Sequence, residues 1–448
     1  MNQKKDKIQL SDHFTYKKLL RFCFPPIVMM LFTSIYGVVD GLFVSNFVGK
    51  IPFAAINLVM PFVMILGGFG FMIGTGGSAL VAKTLGENDK ERANRYFTMM
   101  IQLTLCLGVV LSVVGVLFIR PISYLLGATD SMIEDCVLYG RVVLSFDTAF
   151  MLQNVFQTFL AAAEKPKLGL AATVAAGVTN MALDALFIVG FGWGVAGAAL
   201  ATGLSQCIGG ILPLLYFLRP NSSLLRLTKT RPEGTVLLKA CANGSSELMT
   251  SISGSLVSML YNFQLLKFAG ENGVAAYGVL MYIQFIFAAL FIGYTIGTAP
   301  IVGYHYGAEN YTELKNLLRK SVWLMGIAGV AMMVLAQLLA FPLAKIFVGY
   351  DAGLLSMTRH AFHVFSFSFI LAGFNIFTSS FFTALNNGGI SAIISFLRTL
   401  VFQTLSVLLL PLLFGLDGIW WAITVAEIFA CLISVTFLFA KRNQYYYM

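Results

Sequence analysis

Four carboxylic acids stand out inside long apolar runs of this chain: Asp40, Asp184, Glu247 and Glu427. An ionised side chain in hydrocarbon costs several kcal/mol unless it is paired or hydrated, so such acids are candidates for binding an ion or carrying a proton. Asn180 and Asp184 are spaced i, i+4 in TNMALDALF and project from one helical face. Asn154 and Thr202 can add an amide and a hydroxyl at comparable depth. Two carboxyls brought together in a dry site repel when both are charged; they can share a proton, or ligate Na⁺ through their oxygens. Neutral acids that only pin helices together are the alternative. Other chemistry lacks its residues: there is no HExxH, no GxSxG, no phosphate-binding loop, and the six cysteines form no CxxC pair. No metal site, cofactor, disulfide or enzymatic activity is expected.

The elements that must position these groups follow from composition. The 448 residues are 58% hydrophobic and 11% charged, against about 25% charged in soluble domains. Apolar runs long enough to cross a ~30 Å hydrocarbon core recur along the chain. Runs of this length are helices, because barrel strands need only about 10 residues and lipid satisfies no open backbone group. The spans are 19–48, 52–82, 96–118, 136–163, 168–190 and 195–218 for helices 1 to 6, then 240–268, 274–304, 321–343, 358–385, 390–413 and 418–440 for helices 7 to 12. The fold class is an all-α integral membrane protein with twelve transmembrane helices.

Of the 29 Lys and Arg residues, 22 flank the helices on the side of the two termini, Lys4, Lys5 and Lys7 among them, and six on the other. This positive-inside pattern puts both termini in the cytoplasm and attributes the net charge to lipid headgroups, not nucleic acid. The basic start of the chain has no small-residue cleavage site behind it and reads as a cytoplasmic tail. Counted from the cytoplasmic ends at ~1.5 Å per residue, Asp40 lies roughly 30 Å along helix 1 and Asp184 roughly 24 Å along helix 5, both in the outer half.

The chain repeats itself at an offset of 221 residues. FAAINLVM (Phe53 to Met60) falls on VAAYGVLM (Val274 to Met281), GGSALVAKTLG (Gly76 to Gly86) on GTAPIVGYHYG (Gly297 to Gly307), Asn154 on Asn375, and Gly197 on Gly418, without a gap. The reading is two homologous six-helix bundles, residues 1–220 and 240–448, joined by a basic linker at 221–239. An even number of helices in each half makes both run in the same sense, with substrate between them near the midplane. At this offset Asp40 meets Tyr261 and Asp184 meets Leu405, so paired carboxyls belong to the first bundle alone. The linker stretch LLRLTKTRPEGTVLLK suits either a short amphipathic helix on the membrane or a solvated loop.

Twelve helices, a duplicated half, and the paired motifs TLGENDKERA after helix 2 and IGTAPIVGYHYGAEN in helix 8 resemble the multidrug and toxic compound extrusion (MATE) family. The likeness covers essentially the whole chain and falls in the prokaryotic branch with the DinF-like and MepA-like exporters. It implies secondary active efflux of small organic molecules, often cations or drugs, by antiport with H⁺ or Na⁺, from a monomer in the bilayer of a prokaryotic plasma membrane. It also implies that Asp40, Asn154, Asn180, Asp184 and Thr202 form the cation-coupling site. A flippase for a lipid-linked or endogenous metabolite is the runner-up within the wider superfamily.

Other branches of the family pair a helix 7 Glu with a helix 10 Asp. Glu247 resembles the first of these, but helix 10 offers only Asn375. Arg398 in helix 11 stands at a similar depth to Glu247, and a buried ion pair between them is expected. Glu427, which falls on Gln206 in the repeat, is a candidate for recognising a cationic substrate. Tyr36, Phe43, Met60, Met64, Met181, Tyr261 and Tyr282 are candidate pocket residues, since thioethers adapt to varied shapes and ring faces attract organic cations. Pro25 and Pro26 give helix 1 a place to bend below Asp40.

Overall fold

A computed structural model describes residues 8–448; Lys4, Lys5 and Lys7 of the basic tail lie outside the described residues. Helices 1 to 3 are Tyr16–Phe47, Lys50–Gly86 and Lys90–Leu125. Helix 4 comes in two pieces, Ile133–Ser145 and Asp147–Ala162, with a break at Phe146. Helix 5 runs over Pro166–Asp184 and continues in π geometry over Ala185–Gly190, and helix 6 is Gly194–Leu218. Helices 7 and 8 share the stretch Gly234–Gly307, broken at Gly270, whose φ of 61° and ψ of −152° suit only a residue without a Cβ. Helix 9 is Tyr311–Val348. Helix 10 joins Ala352–Phe365 to Phe369–Ala384 through a 3₁₀ turn. Helix 11 joins Gly388–Phe396 to Gln403–Phe414 through π geometry over Leu397–Phe402, and helix 12 is Leu416–Tyr445. Ten helical stretches are by themselves long and apolar enough to cross a membrane; the break at Gly270 and the two joined pieces of helix 4 bring the total to twelve.

Apolar runs understate helices 3 and 9, which start with polar turns. The Asp89 and Asn310 side chains accept the amides of Arg92 and Glu313, so capping and not hydropathy sets these ends. The linker is a loop without a helix on the membrane, exposed at Arg226, Lys229 and Arg231 but packed in part on the first lobe. Its residues 220–233 form an extended, non-helical strand of chain packed on helix 3: the Arg226 N–H donates to Asn94 Oδ1 (2.9 Å), the Thr228 N–H donates to Thr98 Oγ1 (3.0 Å), and Leu225 is buried. Helix 7 already begins at Gly234, within the stretch assigned to the linker.

The two lobes meet along helices 1, 2, 7 and 8, where glycines let backbones touch. A Cβ on Gly86 would stand 2.0 Å from the Tyr304 carbonyl, and one on Gly307 would stand 1.9 Å from that of Lys83. A Cβ on Gly76 would strike Gly244, and one on Gly297 would strike Cys23. These contacts obey the 221-residue offset: each partner of the first pair is the image of a partner in its counterpart. The approximate two-fold axis therefore passes through the Gly-rich motifs, near the face where the N-terminal segment lies. Gly86→Ala is expected to push helices 2 and 8 apart and to cost this packing about 1–3 kcal/mol. Its readout is reduced disulfide cross-linking between Lys83→Cys and Tyr304→Cys; undiminished cross-linking would refute it.

That face is also crossed by a strap. Leu10 and Phe14 are fully buried. The Leu10 N–H donates to Glu164 Oε1 (2.9 Å), in the turn between helices 4 and 5 of the first lobe. Phe14 engages the second lobe: its N–H donates to Glu313 Oε1 (2.9 Å), and its carbonyl accepts from the Asn316 amide (3.1 Å). His13 Nδ1 lies 2.6 Å from Glu313 Oε2. Residues 10–14 thus tie the lobes together before Thr15 caps helix 1.

Candidate ion-coupling site

Helix 1 brings Asp40 against helix 5. The Asp40 carboxyl is within hydrogen-bonding reach of both the Asp184 carboxyl and the Asn180 side chain. Asp184 is 0% exposed, and with both acids ionised neither of its oxygens has a donor; Asp40 Oδ1 has none either. A single proton placed between the carboxyls supplies the missing donor and removes their repulsion. Just past Asp184 the helix widens into its π turn, a form that recurs at functional sites.

Tyr139 of helix 4 completes the group. It is buried, lies in electrostatic range of both acids, and turns its hydroxyl toward the Thr202 side chain of helix 6 and the Met60 sulfur (3.5 Å). Sequence reading passed it over, because a tyrosine near a helix end resembles an ordinary interfacial residue. The Asn154 amide donates to the Gly67 carbonyl (3.1 Å), fastening helix 4 to helix 2. A further acid was also missed. Asp147 opens the second piece of helix 4, is 1% exposed, and has no donor for either oxygen. Its signal was available, since it lies within the apolar span 136–163 and meets the test that selected Asp40.

The MatE family model matches this chain twice, at residues 25–186 and 248–408, once in each lobe. The chain belongs to the MatE family. It is a multi-pass membrane transporter. The multidrug export protein MepA of Staphylococcus saprophyticus is 24% identical over 430 residues, which is 96% of this chain and 94% of that protein. MepA of Staphylococcus haemolyticus is 22% identical over 431 residues with the same coverage. Among solved structures, MATE in complex with MaL6 gives a TM-score of 0.93 at 24% identity, covering 99% of this chain and all of that one. An outward-facing multidrug resistance MATE transporter of the MOP superfamily gives 0.92 at 24% identity, over the whole of both chains. These likenesses establish the twelve-helix MATE fold.

The second lobe of this MatE chain pairs its charges differently from expectation. Arg398 bonds Glu427: Nε donates to both carboxylate oxygens (2.9 and 3.0 Å), and an Nη lies 2.7 Å from Oε1. Asn375 donates to Glu427 Oε2 (2.7 Å) and to its backbone carbonyl (3.0 Å). Glu247 feels Arg398 only at electrostatic range and is half-buried. Depth along the helix axis was right, but the π turn at Leu397–Phe402 sets which neighbour Arg398 faces. Glu427, 2% exposed, is therefore the ion-pair partner of Arg398 that Glu247 was expected to be. Tyr261 is likewise a core residue, stacked on Tyr277 with ring centroids 4.9 Å apart.

The other pocket candidates keep partial exposure. Tyr36, Phe43, Met60, Met181 and Tyr282 are half-buried, and Met64 is exposed. Tyr36 reaches Gln153, and Tyr282 lies in electrostatic range of Asp40 from across the lobe boundary.

Proposed function

We propose that this chain is a secondary active exporter of small, often cationic organic molecules, driven by protons that enter through Asp40 and Asp184. The observation that carries the reading is the carboxyl pair, Asp184 fully buried and Asp40 half-buried, with its missing donor. A group that must bind a proton in one state and release it in another can do so here, because the proton is what makes the two acids compatible. The proton loads from outside onto the pair and leaves to the cytoplasm, and the substrate travels the opposite way. The names of the MepA relatives support multidrug export as the cargo class. Half-buried aromatic and thioether side chains near Asp40 suit varied cationic guests.

The test is efflux from vesicles under separately imposed proton and sodium gradients. Efflux that follows the proton gradient is expected. The orphan oxygens of Asn180, Asp184 and Thr202 are also a donor set for Na⁺, and efflux that follows sodium alone would move the site to that ion.

The asymmetry of basic residues supports a cytoplasmic position for both termini and for the loops after helices 2 and 8. In a protein stripped of its native cysteines, Asn88→Cys and Asn310→Cys are expected to resist impermeant thiol reagents added from outside. Labelling of either in sealed cells would invert the orientation.

A further inference from the structure

The foot of helix 1 holds a feature that transport chemistry does not use. An open surface cavity of about 230 Å³ is lined by Ile8, Thr15, Lys17, Lys18 and Arg21. Lys18 already has a partner, Asp12 Oδ2 at 2.8 Å. Lys17 and Arg21 are exposed and have no ion-pair partner among the described residues.

These two cations stand one turn apart, and the face they share continues into the bilayer as Leu20 and Phe24, at i+3 and i+7 from Lys17. Both are exposed, 43% and 63%. One side of the helix is thus cationic at headgroup level and apolar immediately below it, which is the order of chemistry along a phospholipid. A phosphodiester suits the planar fork of Arg21. Lys17 then decides the class, because the ammonium of a zwitterionic headgroup would be repelled by it, whereas a headgroup of net negative charge is not.

We propose that this cavity binds the headgroup of an anionic phospholipid, with an acyl chain along Leu20 and Phe24. The cavity wall includes Ile8, just ahead of the strap, so the bound lipid fastens the strap to helix 1. Basic pockets on the cytoplasmic side of membrane proteins recruit such lipids through about 1 kcal/mol per cation.

The experiment uses the full chain in mild detergent, with thermal unfolding as the readout. Phosphatidylglycerol, phosphatidylcholine and inorganic phosphate are added in parallel. Phosphatidylglycerol is expected to raise Tm by several degrees, and the other two are expected to leave it within error. The double variant Lys17→Gln, Arg21→Gln should lose the rise, while Lys229→Gln, Arg231→Gln in the linker should keep it. An undiminished rise in the first variant, or an equal rise with phosphatidylcholine, overturns the proposal. An equal rise with inorganic phosphate makes the cavity an anion site and overturns the lipid assignment. If the first variant does not fold, salt titration of the native protein decides: the preference for phosphatidylglycerol should fade as charge is screened, and a salt-independent preference overturns the proposal.

Discussion

Asp40→Asn is expected to yield a protein that folds and inserts but no longer uses the proton gradient, with efflux falling to that of vesicles without a gradient. Asparagine matches the shape of aspartate and keeps a donor for Asp184, so the fit between helices 1 and 5 survives. It cannot give up its proton in the working pH range, so the cycle loses its driving ion. Asp184→Asn should behave the same way, and the double variant should transport no worse than either single one, since each alone already breaks the relay. Tyr139→Phe removes only a neighbouring hydroxyl and should weaken transport without abolishing it. Native-like proton-driven efflux in a well-expressed Asp40→Asn protein would end this account.

The second large effect belongs to stability. Arg398→Met strands the Glu427 charge, with Asn375 as its remaining donor, and Glu427→Met strands the guanidinium. Breaking one side of a buried pair costs roughly 3–5 kcal/mol, whereas replacing both partners by apolar groups of similar volume is often near neutral. Each single variant should therefore unfold at markedly lower temperature, and Arg398→Met with Glu427→Met should recover most of the loss. Glu247→Gln should change stability little, because no hydrogen bond ties it to Arg398. Losses that add in the double variant would show that the pair is not a coupled unit.

The large features of the fold were written in the sequence because the bilayer enforces them. Apolar length specifies a crossing helix, and a repeat at a fixed offset specifies two lobes; even the facing glycines, Gly86 and Gly307, obey that offset. What hydropathy misses is polar structure outside the hydrocarbon, such as the first turns of helix 9 or the extended linker on helix 3. The site was legible to the extent that its members are improbable in lipid: Asp40, Asn180 and Asp184 stood out and do meet. Rotation about a helix axis is harder to read. The Asn154 amide meets the Gly67 carbonyl of helix 2 and Arg398 meets Glu427, each beyond a local interruption of its helix, at Phe146 and in the π turn at Leu397–Phe402. Tyr139 was hidden for another reason: its residue type is ordinary at its position.

The strap at Leu10 to Phe14 sets a condition on biosynthesis. Its residues leave the ribosome well before their partner does: Glu313, which accepts the Phe14 amide, follows 299 positions later. At about 5–20 residues per second that is a wait of roughly 15–60 s. During this interval helix 1 must enter the bilayer with Leu10 and Phe14 uncovered and the Phe14 carbonyl hydrated. The strap can close only when helix 9 has been made, so its docking marks a chain whose two halves have both arrived, and a nascent chain stalled before Glu313 carries an apolar N-terminal segment open to chaperones and proteases.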